Sequence, residues 1–413
     1  MITGSLMTTG IHGTLNQDNK TPGPVVMVLG IRPDVIRASI ILRELRASLG
    51  SNFKLIWSGQ HYSENLKDVF FNELEVEKPD IELNIEGNSD AELVASTILK
   101  LSNVFQEIKP SVAVFLGDTN TVTGAIAAGQ LNIPIVHIEG CMRSYDWRMP
   151  EEKYRTIVDH LSDYIYVYLP DYKEQGTAEG IPSENIIVTG NPIVDVIQEY
   201  FLSGKLRMDN FDLQELLTKK YNIASSKFLL MTCHRRENVE NIRALQRIFE
   251  LVSSTQLPVL FPAGYRTQKM IKYFDLVLPR NIILVDPIGY LELLELLTAS
   301  SGVLTDSGTI VEEAAVLGVP SIQMRTSTER PQVYACGASI KFDPFEESSP
   351  MDFIERLLAL NGDDWDQPFG DGKASYRIVD ELVSRFGYQD FRGHEPRKYE
   401  PYSLESFRSE KNN

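Results

Sequence analysis

The chain has 413 residues, 43% of them hydrophobic and 23% charged, and carries a formal net charge of −17. A length prior of about 150 residues per domain implies two or three lobes, and two is the starting expectation. No apolar run approaches the roughly 18 residues that cross a bilayer, so no membrane partner is expected, and the negative balance disfavours nucleic acid, whose phosphates would meet a repelling field.

The first 22 residues are rich in Gly, Thr and Asn and lack a basic start followed by an apolar segment, so they read as a disordered arm rather than a signal peptide. Cys141, Cys233 and Cys336 are far apart, with no CxxC pair. That usage argues against a disulfide framework or a cysteine zinc site and fits a reducing, cytoplasmic compartment.

From residue 25 onward, short apolar runs alternate with amphipathic segments, the pattern of βαβ units in a parallel sheet. Strands are expected at 25–30, 53–57, 112–117, 133–138 and 164–168. A second series follows at 228–233, 258–262, 281–286, 302–306 and 320–324. The fold class is therefore α/β, with two Rossmann-like doubly wound domains facing a cleft and a linker near 200–225. Ligands of such sheets sit beyond the carboxyl ends of the strands, which makes the loops after the strands the place to look for chemistry.

The first such loop is GIRPDVIR, in which Arg32 can face an anion, while Arg37 is open between that role and a solvated helix position. In GDTNT, Asp118 is either a helix N-cap or a carboxylate exposed in the cleft. HIEGCMR, followed by PEEKYR, brings Glu139 from a strand end and Glu151 from a helix start. Glu151 and Arg155 are spaced for an i,i+4 ion pair.

In the second series, HRRE (234–237) reads as a diphosphate clamp through His234, Arg235 and Arg236. TDSGTIVEE turns from a strand into a helix at Ser307 and Gly308, where free backbone N–H groups can hold a phosphate. Glu312 and Glu313 are taken to lie in the first turn, where the helix dipole accounts for them as well as ribose binding does. No GxGxxG occurs, so nicotinamide is unsupported, and no His-x-x-x-His or comparable spacing marks a metal site.

Together these motifs resemble the non-hydrolysing UDP-N-acetylglucosamine 2-epimerase family over residues 25–385. Its GTRPE-x-I-K, TGQH, GDTTT, HVEAGLR, PEE-x-x-R, HRRE, TDSGG-x-x-EE and TERPE patterns are similar to GIRPDVIR, SGQH, GDTNT, HIEGCMR, PEEKYR, HRRE, TDSGTIVEE and TERPQ here. The resemblance implies a glycosyltransferase-B type fold, usually dimeric, that inverts C2 of a UDP-linked 2-acetamido sugar without nicotinamide or metal. It further implies anti elimination of UDP to a 2-acetamidoglucal and syn re-addition.

Carried over by motif, Asp118, Glu139 and Glu151 match the catalytic carboxylates and His234 the catalytic-site histidine. Arg32, Arg37, Arg143, Arg155, Arg235, Ser307, Gly308, Thr309, Glu313 and Arg330 are the expected substrate-binding positions, with Glu313 on the ribose. Gln60 and His61 match a region that binds an activating second UDP-sugar in bacterial members. The resemblance places an N-terminal domain at 23–205, with a returning helix at 373–387, a UDP-binding domain at 206–372 and a tail at 388–413.

Thr309 replaces a glycine of the family pattern, Gly264 stands where a histidine is usual, and the loop from Arg143 to Pro150 is short, as in members acting on other UDP-2-acetamido sugars. Substrate choice is expected between Cys141 and Met149. The alternatives are a 2-epimerase of a 6-deoxy or uronic acid derivative, then a hydrolysing relative, a glycosyltransferase or an inactive UDP-sugar sensor.

Overall fold

The structure, a computed structural model, describes residues 23–59, 71, 74–205 and 212–387. Gln60, His61, the N-terminal arm and the tail fall outside the described residues.

The first sheet contains β1 (Val25–Leu29), β2 (Phe53–Trp57), β3 (Ile81–Glu82), β4 (Val112–Leu116), β5 (Ile135–Ile138), β6 (Tyr164–Val167) and β7 (Ile186–Val188). Their order is β3-β2-β1-β4-β5-β6-β7, and every pairing is parallel. The second sheet contains β8 (Leu229–Thr232), β9 (Val259–Pro262), β10 (Ile282–Val285), β11 (Val303–Thr305), β12 (Ser321–Met324) and β13 (Ser339–Phe342). It too is fully parallel, in the order β10-β9-β8-β11-β12-β13.

Central strands such as VVMVL and VAVFL are buried at every position because helices cover both faces of each sheet. That two-sided burial is why they read as unbroken apolar runs. All ten expected strand regions contain a strand, and the structure adds β3, β7 and β13. All three are edge strands: β3 and β7 are two and three residues long, and β13 carries the exposed Lys341, so none shows the continuous apolar run of a central strand.

The topology locates the cleft. In the first sheet the chain order reverses between neighbouring strands β1 and β4, and in the second between β8 and β11. At such a switch point the following loops diverge to opposite faces and open a crevice at the carboxyl ends of the strands.

Apolar packing joins the lobes as well. The cluster on one face of the first sheet runs through Ile193, Val194 and Ile197 to Val311 and Ala315 of the second lobe. After β13 the chain comes back to the first lobe. Asn191 donates its backbone N–H to Phe369 O at 2.9 Å, and Asp195 accepts from the backbone N–H groups of Ala374 and Ser375 at the start of helix Ala374–Leu382.

Candidate active site

A cavity of about 790 Å³ lies between the lobes, lined by the loops after β1, β4, β5, β8 and β11. Arg37, Asp118, Glu139 and Glu151 reach it from the first lobe, and His234, Arg235, Ser307, Gly308, Thr309 and Arg330 from the second.

The first-lobe groups are held by one another. Arg37 is 5% exposed, so it is not a solvated helix residue. One of its amino groups donates to Glu139 Oε2 and the other to Asp34 Oδ1 at 2.9 Å. Asp34 in turn accepts from the backbone N–H groups of Gly30 and Ile31, closing the turn between β1 and helix Arg32–Leu49. Arg32 reaches across the cleft and donates to Ile288 O at 3.5 Å.

Glu139 adopts φ +73°, a left-handed conformation rare outside glycine. Backbone strain of this kind costs about 1–3 kcal/mol and persists where the surroundings over-determine it. Here the surroundings are Arg37 on Oε2, Arg330 on Oε1 at 2.7 Å, and the Tyr168 hydroxyl donating to Oε2 at 3.3 Å. Arg330 comes from the second lobe, so Glu139 is clamped by cations from both sides.

Asp118 is not a helix cap: Thr119 occupies that position before the short helix Asn120–Gly124. Its Oδ2 accepts instead from Arg155 Nη2. Burial pushes its carboxyl up, but the guanidiniums of Arg155, Arg235 and Arg330 outweigh this and hold it below the usual aspartate range.

The expected i,i+4 pair of Glu151 with Arg155 does not form. Arg155 turns to Asp118 and to Glu152, the latter at 3.1 Å, because those carboxylates lie on its buried side. Glu151, in the first turn of helix Pro150–Leu161, lines the cavity instead.

In the second lobe, fully buried Asp306 accepts from the backbone N–H groups of His234 and Arg235 at 3.0 and 2.9 Å and from Asn238 Nδ2 at 3.1 Å. The loop after β8 is thereby tied to the end of β11. Ser307 caps helix Gly308–Val316 by accepting from Ile310 N, and the first-turn amides at Gly308 and Thr309 have no intrahelical acceptor. Gly308 permits a close approach: a Cβ there would stand 2.5 Å from Arg330 Nη1.

Glu312 and Glu313 lie beyond the first turn, which contains no acidic residue, so the helix dipole does not account for them. Glu312 faces Arg330 Nε at 2.8 Å. Glu313 accepts from Tyr290 OH at 3.0 Å, and burial pushes its carboxyl up to about 8.

Arg143 does not line the cavity. It is committed to Asp159 Oδ2 at 2.7 Å and to both oxygens of Glu179 at 2.9 and 2.6 Å, so its place is in the packing behind the loop after β5. Sequence reasoning passed over Glu329, which binds Arg325 Nη1 at 2.9 Å and Arg330 Nη1. Burial would raise Glu329, yet Arg325, Arg330, Arg155 and Arg235 hold it well below the glutamate range. Its signal was available, since it stands next to Arg330 in TERPQ. Glu152 was masked by its neighbour Glu151; it accepts from the backbone N–H groups of Ser144 and Tyr145 at 3.1 and 2.9 Å and so pins the short loop before Pro150.

A second cavity of about 500 Å³ adjoins the first, sharing Glu151, Arg236 and Arg266 with it. Arg236 there pairs across the lobes with Asp90 at 2.9 Å. Among the described residues no three His, Cys, Asp or Glu side chains converge as a metal site, and no helix is long and apolar enough to cross a membrane.

A family model for UDP-N-acetylglucosamine 2-epimerase matches residues 43–383. The chain belongs to the UDP-N-acetylglucosamine 2-epimerase family. Family members are carbohydrate epimerases, as the resemblance implied. The chain is similar to the UDP-N-acetylglucosamine 2-epimerase of Methanococcus maripaludis, 35% identical over 86% of this chain and 96% of that one. It is also similar to the UDP-2,3-diacetamido-2,3-dideoxy-D-glucuronate 2-epimerase of Pseudomonas aeruginosa, 32% identical over 87% and 99% of the two chains. Among solved structures, the UDP-GlcNAc 2-epimerase of Methanocaldococcus jannaschii in complex with UDP-GlcNAc and UDP superposes with a TM-score of 0.79 at 34% identity, covering 87% of this chain and 99% of that one.

Proposed function

We propose that this family member inverts C2 of a UDP-2-acetamido sugar, with UDP-GlcNAc and UDP-ManNAc as the exchanging pair. The observation that carries the reading is that three first-lobe carboxylates, Asp118, Glu139 and Glu151, share one cavity with the open helix N-terminus at Ser307–Thr309.

The C2 hydrogen of a pyranose is not acidic, so removing it directly would be slow. Departure of UDP gives C1 oxocarbenium character and makes that proton removable, in an anti elimination to a 2-acetamidoglucal. The amides of Gly308 and Thr309, with Arg235, Arg32 and His234, receive the developing diphosphate charge. Glu313 accepts from the ribose hydroxyls. A carboxylate of the first lobe takes the C2 proton, another returns one to the opposite face, and UDP adds back syn. Asp118, held ionised by three guanidiniums, is suited to the base side of this exchange.

In this reading residues 23–205 and 373–387 supply the acid–base half and residues 206–372 the nucleotide half. The enzyme works as a cytoplasmic homodimer and needs neither nicotinamide nor metal. A 6-deoxy or uronic acid sugar is the second reading, favoured by the similarity to the P. aeruginosa diacetamidoglucuronate enzyme. Following a panel of UDP-2-acetamido sugars by proton NMR tests both: the C2 epimer is expected from UDP-GlcNAc, and an epimer from no member of the panel refutes the proposal.

A further inference from the structure

Behind the cavity lies an ion pair that the chemistry above does not use. His137, on β5, is fully buried, as is Asp159 on helix Pro150–Leu161. His137 Nδ1 stands 2.7 Å from Asp159 Oδ1, and Nε2 stands 2.8 Å from Gly117 O. A carbonyl oxygen only accepts, and so does an ionised carboxylate, so each ring nitrogen must donate. Asp159 is held as a carboxylate by the donors on its other oxygen, Arg143 Nη1 at 2.7 Å and Cys141 N at 3.0 Å.

We infer that His137 is a doubly protonated positioning residue that fixes all three candidate proton-handling carboxylates to one another. Gly117, whose carbonyl it binds, directly precedes Asp118. His137 itself stands two residues before Glu139. Its partner Asp159 also accepts from Cys141 N at 3.0 Å, which fixes the chain just after Glu139. Asp159 lies two turns along the helix from Glu151, on the face that also carries Arg155. One buried imidazolium therefore links the loop after β4, the loop after β5 and the helix that begins at Pro150.

The neighbourhood is organised around this charge. Asp159 is shared with Arg143 Nη1 at 2.7 Å, Arg143 is neutralised further by Glu179, and Glu179 stands 3.6 Å from His160 Nε2. Gly140 makes room for the pair, since a Cβ there would lie 2.7 Å from Asp159 Oδ1 and 3.2 Å from His137 Nδ1. No substrate atom need touch His137. Its effect is on placement, and misplacing a reacting group by about 1 Å can cost about 100-fold in rate.

The inference rests on the proposed roles of Asp118, Glu139 and Glu151, and its test separates the two. In the full-length protein labelled with nitrogen-15 at histidine, one ring is expected to carry protons on both nitrogens, because both face acceptors. His137→Gln should remove that signal. In the same variant, kcat for UDP-GlcNAc epimerisation should fall about 100-fold, while KM and UDP affinity stay within about threefold. A purely structural role would instead lower the melting temperature and leave kcat per folded molecule unchanged, which would overturn the inference. A singly protonated His137 overturns it independently, even if the variant does not fold. If the wild-type enzyme shows no epimerisation while the doubly protonated ring is present, the proposed activity has failed, and the ion pair stands as a description of the fold alone.

Discussion

The two lobes build their halves of the cleft by different means. In the first, charged side chains from two helices and the loops after β4 and β5 hold one another, Arg37 on Glu139 and Arg155 on Asp118, with Arg330 of the second lobe joining Glu139 and a left-handed backbone at Glu139 itself. In the second, the main chain faces the cavity at Ser307–Thr309, and a single buried carboxylate, Asp306, ties the neighbouring loop in place by accepting its N–H groups. Side chains that change protonation suit proton transfer, while fixed amides suit a diphosphate that gains negative charge as it leaves without itself exchanging a proton. On the proposed reading the same fold, used twice, serves two tasks, and each half can be broken separately.

The largest effect is expected in the first lobe. Asp118→Asn should lower C2 turnover by about 10³-fold, within the range for losing a general acid–base group, and leave UDP affinity within about threefold. Stopped assays together with calorimetric UDP titration check both numbers.

Arg330→Met strikes the bridge between the lobes. It leaves Glu139, Glu312 and Glu329 without a shared cation, and breaking a buried pair from one side costs about 3–5 kcal/mol. Chemical denaturation should show that loss, with activity reduced alongside.

A smaller and more selective effect is expected at Glu313. Its carboxyl is raised to about 8 by burial, so its contribution to stability is full at pH below the ordinary glutamate value and is lost as pH rises through about 8. A ribose diol donating to it favours the ionised form. UDP affinity should therefore increase with pH and level off above about 8, and Glu313→Gln should flatten that dependence in titrations across pH. The smallest effect is expected at Gly264, where a Cβ meets nothing within 4 Å and φ is −65°. Gly264→Ala should shift stability by no more than about 0.5 kcal/mol, as judged by its denaturation midpoint.

These contrasts also explain what the sequence disclosed. The central strands were legible because burial on both faces makes them continuous apolar runs, and the site loops followed from where those runs stop. Side-chain partners were harder. An i,i+4 spacing suggested Glu151 for Arg155, but Asp118, 37 residues away, competes only once β4 and helix Pro150–Leu161 have been packed together. The partners of Arg143, Asp159 and Glu179, lie 16 and 36 residues on and were hidden from the sequence in the same way. Glu329 and Glu152 stand beside more conspicuous residues, and only tertiary contacts reveal that they organise the arginines.

Epimerisation in D2O tests the central claim most directly. If first-lobe carboxylates exchange the C2 proton while the second lobe holds UDP, both UDP-GlcNAc and UDP-ManNAc recovered at equilibrium should carry deuterium at C2 and nowhere else on the ring. Recovery of the two epimers without deuterium at C2 would contradict the account.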